Sequence, residues 1–107
     1  MSQLTLKTLT CLKKQDVFKD NIDNIRVSVD GRKVAGDFKM GKNDSISLNT
    51  KVSFTGSADI LLTDVDPNSA DDVLGTVIAQ ATQPGSHTGV FHAKQGIDYH
   101  LTYEIAA

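Results

Sequence analysis

The stretch DNIRVSVDGRKV, residues 23–34, decides the fold class of this chain. Ile25, Val27 and Val29 alternate with polar residues, which is the pattern of a β-strand with one buried face. Asp30-Gly31 follows and predicts a tight hairpin turn into a second strand. The same alternation recurs in two further segments, residues 45–54 and 99–105.

Five less regular segments complete the expected set of strands. The apolar positions change parity between Leu6 and Leu9, as a β-bulge would make them. These strands are expected at residues 4–12, 35–40, 58–63, 73–81 and 89–93. Turn-forming residues separate them at 41–44, 55–57, 67–69, 84–86 and 95–96. The sequence therefore predicts an all-β fold, an antiparallel two-sheet Greek-key β-sandwich of about eight strands.

One of these segments, residues 73–81, also fits a helix. Ser69 is followed three residues later by Asp72, which resembles a capping box at a helix start. Gly75 and the β-branched residues of the segment oppose a helix, because both have low helix propensity. The strand is the favoured prediction, with the helix as its alternative.

Composition predicts a single domain, residues 1–107, of a size that buries about two-thirds of its unfolded surface. Charged residues make up 22% and apolar residues 39%, which is typical of a globular protein. The formal net charge of −2, with scattered basic residues, argues against a nucleic-acid partner. Cys11 is the only cysteine, so it is expected to pack as a small apolar side chain.

The sequence leaves the compartment open. The N-terminus has no basic segment followed by a long apolar run, so no leader peptide is recognised. No apolar run approaches the roughly 20 residues of a membrane span. We expect a protein that is cytoplasmic, or exported without an N-terminal leader.

Two segments are rich in aspartate: DVDPNSADDVLG, residues 64–75, and KQDVFKDNID, residues 14–23. Crowded carboxylates repel one another, and Ca²⁺ relieves this repulsion through six to eight oxygen ligands. A sandwich brings alternate loops to the same end, so both segments are expected to share one calcium site. The alternative is that the aspartates make Asx turns and keep the bends solvated.

The spacing in residues 64–75 resembles the third calcium loop of the C2 domain, the membrane-binding module of protein kinase C and synaptotagmin. That loop reads Asp-x-Asp, five residues, then Asp followed by two apolar residues and Gly. The first acidic segment is similar in that Asp23 opens a strand. The resemblance implies Ca²⁺ as the cofactor and five metal ligands, Asp16, Asp23, Asp64, Asp66 and Asp72. Asp20 is the alternative to Asp16, and Asp71 is a less certain ligand that is expected to be a solvated neighbour.

Candidate membrane-contact residues lie between the acidic residues of the first segment. Val17 and Phe18 would enter the lipid interface while Lys14 and Lys19 face anionic head groups. The alternative is that Phe18 folds back and caps the end of the sandwich. The expected partner is an anionic phospholipid membrane.

Catalysis has little support in the sequence. The three histidines share no metal-ligand spacing, and no nucleophile elbow, phosphate-binding glycine loop or Cys-x-x-Cys occurs. We therefore expect no enzyme activity. The second hypothesis is a calcium-stabilised structural module that self-associates or binds carbohydrate without lipid affinity.

Overall fold

A computed structural model describes residues 1–13, 23–65, 71–93 and 97–106. Within these ranges the chain forms eight strands in two antiparallel four-stranded sheets. The strands are β1 (Ser2–Lys13), β2 (Asp23–Val29), β3 (Arg32–Met40), β4 (Ser45–Phe54), β5 (Ser57–Asp64), β6 (Asp72–Gln80), β7 (Gly85–Phe91) and β8 (Asp98–Ala106). One sheet has the order β4-β1-β8-β7 and the other β3-β2-β5-β6. The expected antiparallel β-sandwich is confirmed.

The alternating residues of the strands form the core between the two sheets. Ile25 and Val27 of β2 are fully buried, and Leu4 and Leu9 of β1 face them from the other sheet. Each such side chain contributes about 1.5–3 kcal/mol relative to an exposed position. Cys11 is also fully buried, so the expected packing of the thiol inside the core is confirmed.

The expected irregularity in β1 is confirmed as a β-bulge against β8, because Leu6 lies opposite Tyr103 and Thr8 opposite Thr102, so β1 has one extra residue there. The pairing of β1 with β4 is irregular at the same place. Leu6 lies opposite Thr50 and Thr8 opposite Ser47, so the register shifts between the two pairs. On β4 the shift is accommodated by Asn49, whose φ of 46° lies in the left-handed region that Asn tolerates better than most residues. The extra residue of β1 between Leu6 and Thr8 keeps the apolar residues on both sides of it on the inner face.

The segment from residue 73 is a strand, and the helical alternative is wrong. Strand β6 pairs with β5, with Ala79 opposite Ala58 and Val77 opposite Ile60. This pairing buries Ala79 fully and leaves Ile78 54% exposed, which is the alternation of a strand.

Strand β7 begins earlier than the sequence predicts. The turn expected at residues 84–86 is replaced from Gly85 onwards by pairing with β8. Gly85 lies opposite Ile105, so cross-strand pairing outweighs the turn preference of Gly and Ser here. The turns expected at 67–69 and 95–96 lie outside the described residues.

Four connections leave the sandwich at one end, which we call the loop end. Asp23 lies opposite Met40, Asp64 opposite Asp72, and Lys13 opposite Asp98. The connections β1–β2, β3–β4, β5–β6 and β7–β8 therefore all emerge there. At the opposite end, the first and last strands lie side by side, with Gln3 opposite Ala106.

No helix with the length and apolarity needed to cross a membrane occurs in the described parts of the chain.

Candidate metal centre

Asp64 ends β5 at the loop end and is fastened to the start of β2. Its Oδ1 accepts a hydrogen bond from the backbone N–H of Asn24 at 3.0 Å. Beyond it, the backbone N–H of Val65 donates to the carbonyl oxygen of Asn24 at 2.8 Å. The half-buried Asp64 thus has a fixed position beside the start of β2.

Asp23, at the start of β2, is fastened to the opposite sheet. The hydroxyl of Tyr99, on β8, donates a hydrogen bond to Oδ2 of Asp23. The Tyr99 side chain is fully buried. Its burial, followed by hydrogen bonding to Asp23 and to Cys11, raises the pKa of the Tyr99 hydroxyl above its usual value of 10.0.

The contact between Tyr99 and Asp23 is not predicted by the sequence. Alternation places Tyr99 on the inner face of a strand, but periodicity does not show which group its hydroxyl meets. The signal present in the sequence is a tyrosine on the buried parity close to a strand start, where a buried hydroxyl needs a polar partner. Cys11, expected only to pack, also contributes to this polar contact.

The β3–β4 connection adds a third segment to the loop end. The backbone N–H of Asn43 donates to the Cys11 carbonyl oxygen at 2.7 Å, and Cys11 N–H donates to the Asp44 carbonyl oxygen at 2.9 Å. The Asp44 carboxylate accepts from the backbone N–H of Gly41 at 2.7 Å, which closes the turn. Asp44 is therefore a carboxylate at this end that the sequence analysis missed, because it was assigned only to a turn.

Asp72 and Asp71 begin the strand on the far side of the β5–β6 connection. Asp72 lies directly opposite Asp64 and is half-buried, whereas Asp71 is exposed. The pKa of Arg26 is raised first by its hydrogen bond to Asp37 and also by the negative charges of Asp37 and Asp71. Arg26 Nε lies 2.9 Å from Asp37 Oδ1, so this pair stands beside the acidic end.

The structure therefore places three of the five expected ligands, Asp23, Asp64 and Asp72, at one end of the sandwich. Asp16, Asp20 and Asp66 lie outside the described residues, as do Lys14, Val17, Phe18 and Lys19. Residues 1–13, 23–65, 71–93 and 97–106 by themselves contain no group of three or more His, Cys, Asp or Glu side chains that could hold a metal. The ligand roles stay predictions.

The chemistry of the donors at this end fits a hard cation. The side chains expected as ligands supply carboxylate oxygens, which suit Ca²⁺ better than the nitrogen and sulfur donors that zinc prefers. The histidines are engaged elsewhere or exposed. His87 stacks on Tyr103 with ring centroids 5.3 Å apart, and His100 Nε2 lies 3.0 Å from Asp98 Oδ1.

Solved structures of C2 domains share this arrangement of strands. One, described as the structure of a C2 domain, has 18% sequence identity and a TM-score of 0.68, with all of both chains covered. This chain has the fold of a C2 domain. A C2 domain of plant Extended Synaptotagmin 1 has 10% identity and a TM-score of 0.60, covering 97% of this chain and 90% of that one. No protein-family model and no curated protein matches the sequence.

Gly75, the last residue of the third-loop pattern, is needed for a steric reason. Gly75 has a φ of 154°, and a Cβ added there would lie 3.0 Å from both Cα and Cβ of Phe91. Strand β6 can approach β7 closely only because this position has no side chain. The glycine therefore serves the closure of the sandwich next to the acidic connection.

Proposed function

We propose that this chain is a calcium-binding module, without enzyme activity, that docks on anionic membranes when calcium is present. The observation that carries the proposal is the position of Asp23, Asp64 and Asp72 at one end of a C2 fold. These carboxylates come from the ends of three strands in one sheet, so the backbone fixes their separation. The connections beside them carry the remaining candidate ligands, Asp16 and Asp66.

The proposed switch is electrostatic. Carboxylates gathered at one end of the sandwich repel each other and would also repel an anionic lipid surface. A bound Ca²⁺ supplies positive charge and coordination positions for lipid phosphate oxygens. Hydrogen bonds hold Asp64 to Asn24 and Asp23 to Tyr99, so these two carboxylates need little rearrangement to meet a cation.

The proposed membrane contact comes from the first acidic segment. Val17 and Phe18 would enter the interface, and Lys14 and Lys19 would face the head groups, each lysine contributing about 1 kcal/mol near an anionic surface. This part of the proposal rests on the sequence alone.

The test is co-sedimentation with phosphatidylserine-containing vesicles, in calcium, in magnesium and in chelator. We expect binding in calcium only. Asp64→Asn combined with Asp66→Asn should remove binding and the heat of calcium titration while the fold, monitored by circular dichroism, is retained. Phe18→Ala should weaken vesicle binding and leave the calcium affinity unchanged.

Three results would contradict the proposal in different places. If calcium titration of the wild-type protein releases or absorbs no heat, the proposed calcium site does not exist. Calcium binding without vesicle binding would favour the second hypothesis, a calcium-stabilised structural or carbohydrate-binding module. Calcium binding that survives both Asp→Asn changes would show that the ligands are other residues.

A further inference from the structure

One lateral side of the sandwich is formed by a segment that contains no acidic residue, lysine or arginine. Residues 73–93 contain no Asp, Glu, Lys or Arg, although charged residues make up 22% of the chain. This segment forms β7 and all of β6 except its first residue, Asp72, and these are the edge strands of the two sheets on that side. An uncharged edge strand presents open backbone groups to another chain with nothing to repel it.

The backbone of β6 points two pairs of hydrogen-bonding groups away from the sheet, and no described residue bonds to them. Ala81 N–H donates to the Gly56 carbonyl oxygen at 2.8 Å, so this pair faces β5. Hydrogen-bonded and non-bonded pairs alternate along an antiparallel ladder, so Val77 and Ala79 also face β5. Thr76 and Ile78 therefore direct their N–H and C=O groups outward.

The carbonyl groups that flank this pair are already hydrogen-bonded. The carbonyl oxygen of Leu74 accepts from Ala93 N–H at 3.0 Å, and that of Gln80 accepts from Gln83 N–H at 3.0 Å. The open stretch of the edge is thus centred on Val77. The outer-face side chains here are Thr76 and Ile78, and Ile78 is 54% exposed.

The edges on the other lateral side are protected. Strand β3 carries Arg32, Lys33 and Asp37, and its register with β2 is interrupted twice. Strand β4 carries Lys51 and the bulge at Asn49. Charges and bulges of this kind block pairing between edge strands, and β6 has no charge between residues 73 and 80.

We infer that β6 is a docking edge for a second copy of this chain. The two copies pair antiparallel about a two-fold axis at Val77, with Thr76 opposite Ile78 of the second copy and Ile78 opposite its Thr76. This register matches outward backbone groups with outward backbone groups, and it places the two β-branched side chains of each pair together. It joins the two β6-containing sheets into one continuous sheet.

A second copy fits this edge because the edge is self-complementary. A two-fold contact brings the same surface together with itself, so a charge close to the axis would meet its own copy. The absence of Asp, Glu, Lys and Arg from β7 and from residues 73–80 of β6 removes that repulsion. The four strands of each copy's sheet remain as they are, so pairing requires no change of fold.

Sedimentation velocity over a range of protein concentrations, in chelator, tests the inference independently of calcium. We expect a concentration-dependent dimer of the wild-type chain. Ile78→Lys should raise the dissociation constant at least about tenfold, because a lysine on an edge opposes pairing. Ser53→Lys, at an exposed position of the β4 edge, is the matched control and should dimerise as the wild type does.

Cysteine cross-linking tests the register. Thr76→Cys combined with Ile78→Cys should give a covalent dimer on mild oxidation, because hydrogen-bonded partners have Cα atoms about 5.5 Å apart, within disulfide range. Cys11 is fully buried and should not compete. A wild-type chain that stays monomeric at all concentrations would overturn the inference, and so would an Ile78→Lys variant that dimerises normally. Failure of the double-cysteine variant to cross-link in a proven dimer would overturn the register.

Discussion

At the scale of single residues, the notable contact joins the two sheets through polar groups. Most of the core consists of apolar side chains, yet the Tyr99 hydroxyl of one sheet donates to the Asp23 carboxylate of the other. Cys11 also contributes to the raised pKa of this hydroxyl. A hydrogen bond to a charged group is worth more than one between neutral groups, so this part-buried contact fixes a candidate ligand to the core.

Removal of the Tyr99 hydroxyl should therefore be costly. Tyr99→Phe is expected to lower the free energy of unfolding by about 1.5–3 kcal/mol at neutral pH, because the Asp23 carboxylate loses a donor. Urea unfolding measures the change. In a double-mutant cycle, Tyr99→Phe should cost little further stability in the Asp23→Ala background, because its partner is already absent. Strictly additive effects would show that the two side chains are not energetically coupled.

At the scale of elements, the sandwich closes where β6 and β7 approach each other. Phe91 packs closely against Gly75, and Val77 packs closely against Gly89. The two Cγ atoms of Val77 would lie 2.9 Å from a Cβ at Gly89. Both contacts need a missing side chain on one strand and a bulky one on the other. The two sheets thus have complementary shapes where β6 packs against β7, within the segment 73–93 that lacks charged residues.

A methyl group at Gly89 should disturb this closure. Gly89→Ala is expected to reduce the free energy of unfolding by about 1–3 kcal/mol through overpacking against the stiff Val77 side chain. Thermal or urea unfolding measures the loss. Gly41→Ala is the control, because its added Cβ meets only the Asp44 carboxylate at 3.4 Å. Combination with Val77→Ala should restore part of the stability, and an equal loss in that background would place the strain elsewhere.

The sequence predicts the strands better than it predicts their contacts. Alternation identifies the buried faces of β2, β4 and β8, and the parity change in β1 correctly predicts its bulge. It fails at the start of β7, where pairing of Gly85 with Ile105 outweighs turn chemistry. The acidic pattern identifies Asp64 and Asp72 as neighbours. It does not reveal Tyr99 or Asp44, since both reach the loop end through tertiary pairing that periodicity does not encode.

At the scale of the whole molecule, the three described candidate ligands all belong to the sheet that contains β2, β5 and β6. Tyr99, from β8 of the other sheet, supports them. A cation bound at the loop end would therefore hold together connections that separate when the chain unfolds. Binding to the folded state alone stabilises that state by mass action.

Calcium should accordingly raise the melting temperature. At a free calcium concentration of about one hundred times Kd, the expected gain is about 2.7 kcal/mol, or roughly 10–20 °C for a domain of this size. Differential scanning calorimetry measures the shift, with magnesium and the Asp64→Asn, Asp66→Asn variant as controls. An identical melting temperature in calcium and in chelator would be incompatible with a tight site.

The adjacency of the first and last strands at the end remote from the carboxylates has a practical consequence. Gln3 and Ala106 are neighbours in the same sheet, so a support coupled to either terminus holds the molecule by the same end. Immobilised in this way, every molecule presents its acidic connections outward with a common orientation. A sensor surface prepared through either terminus should thus report on ligands of those connections equally well.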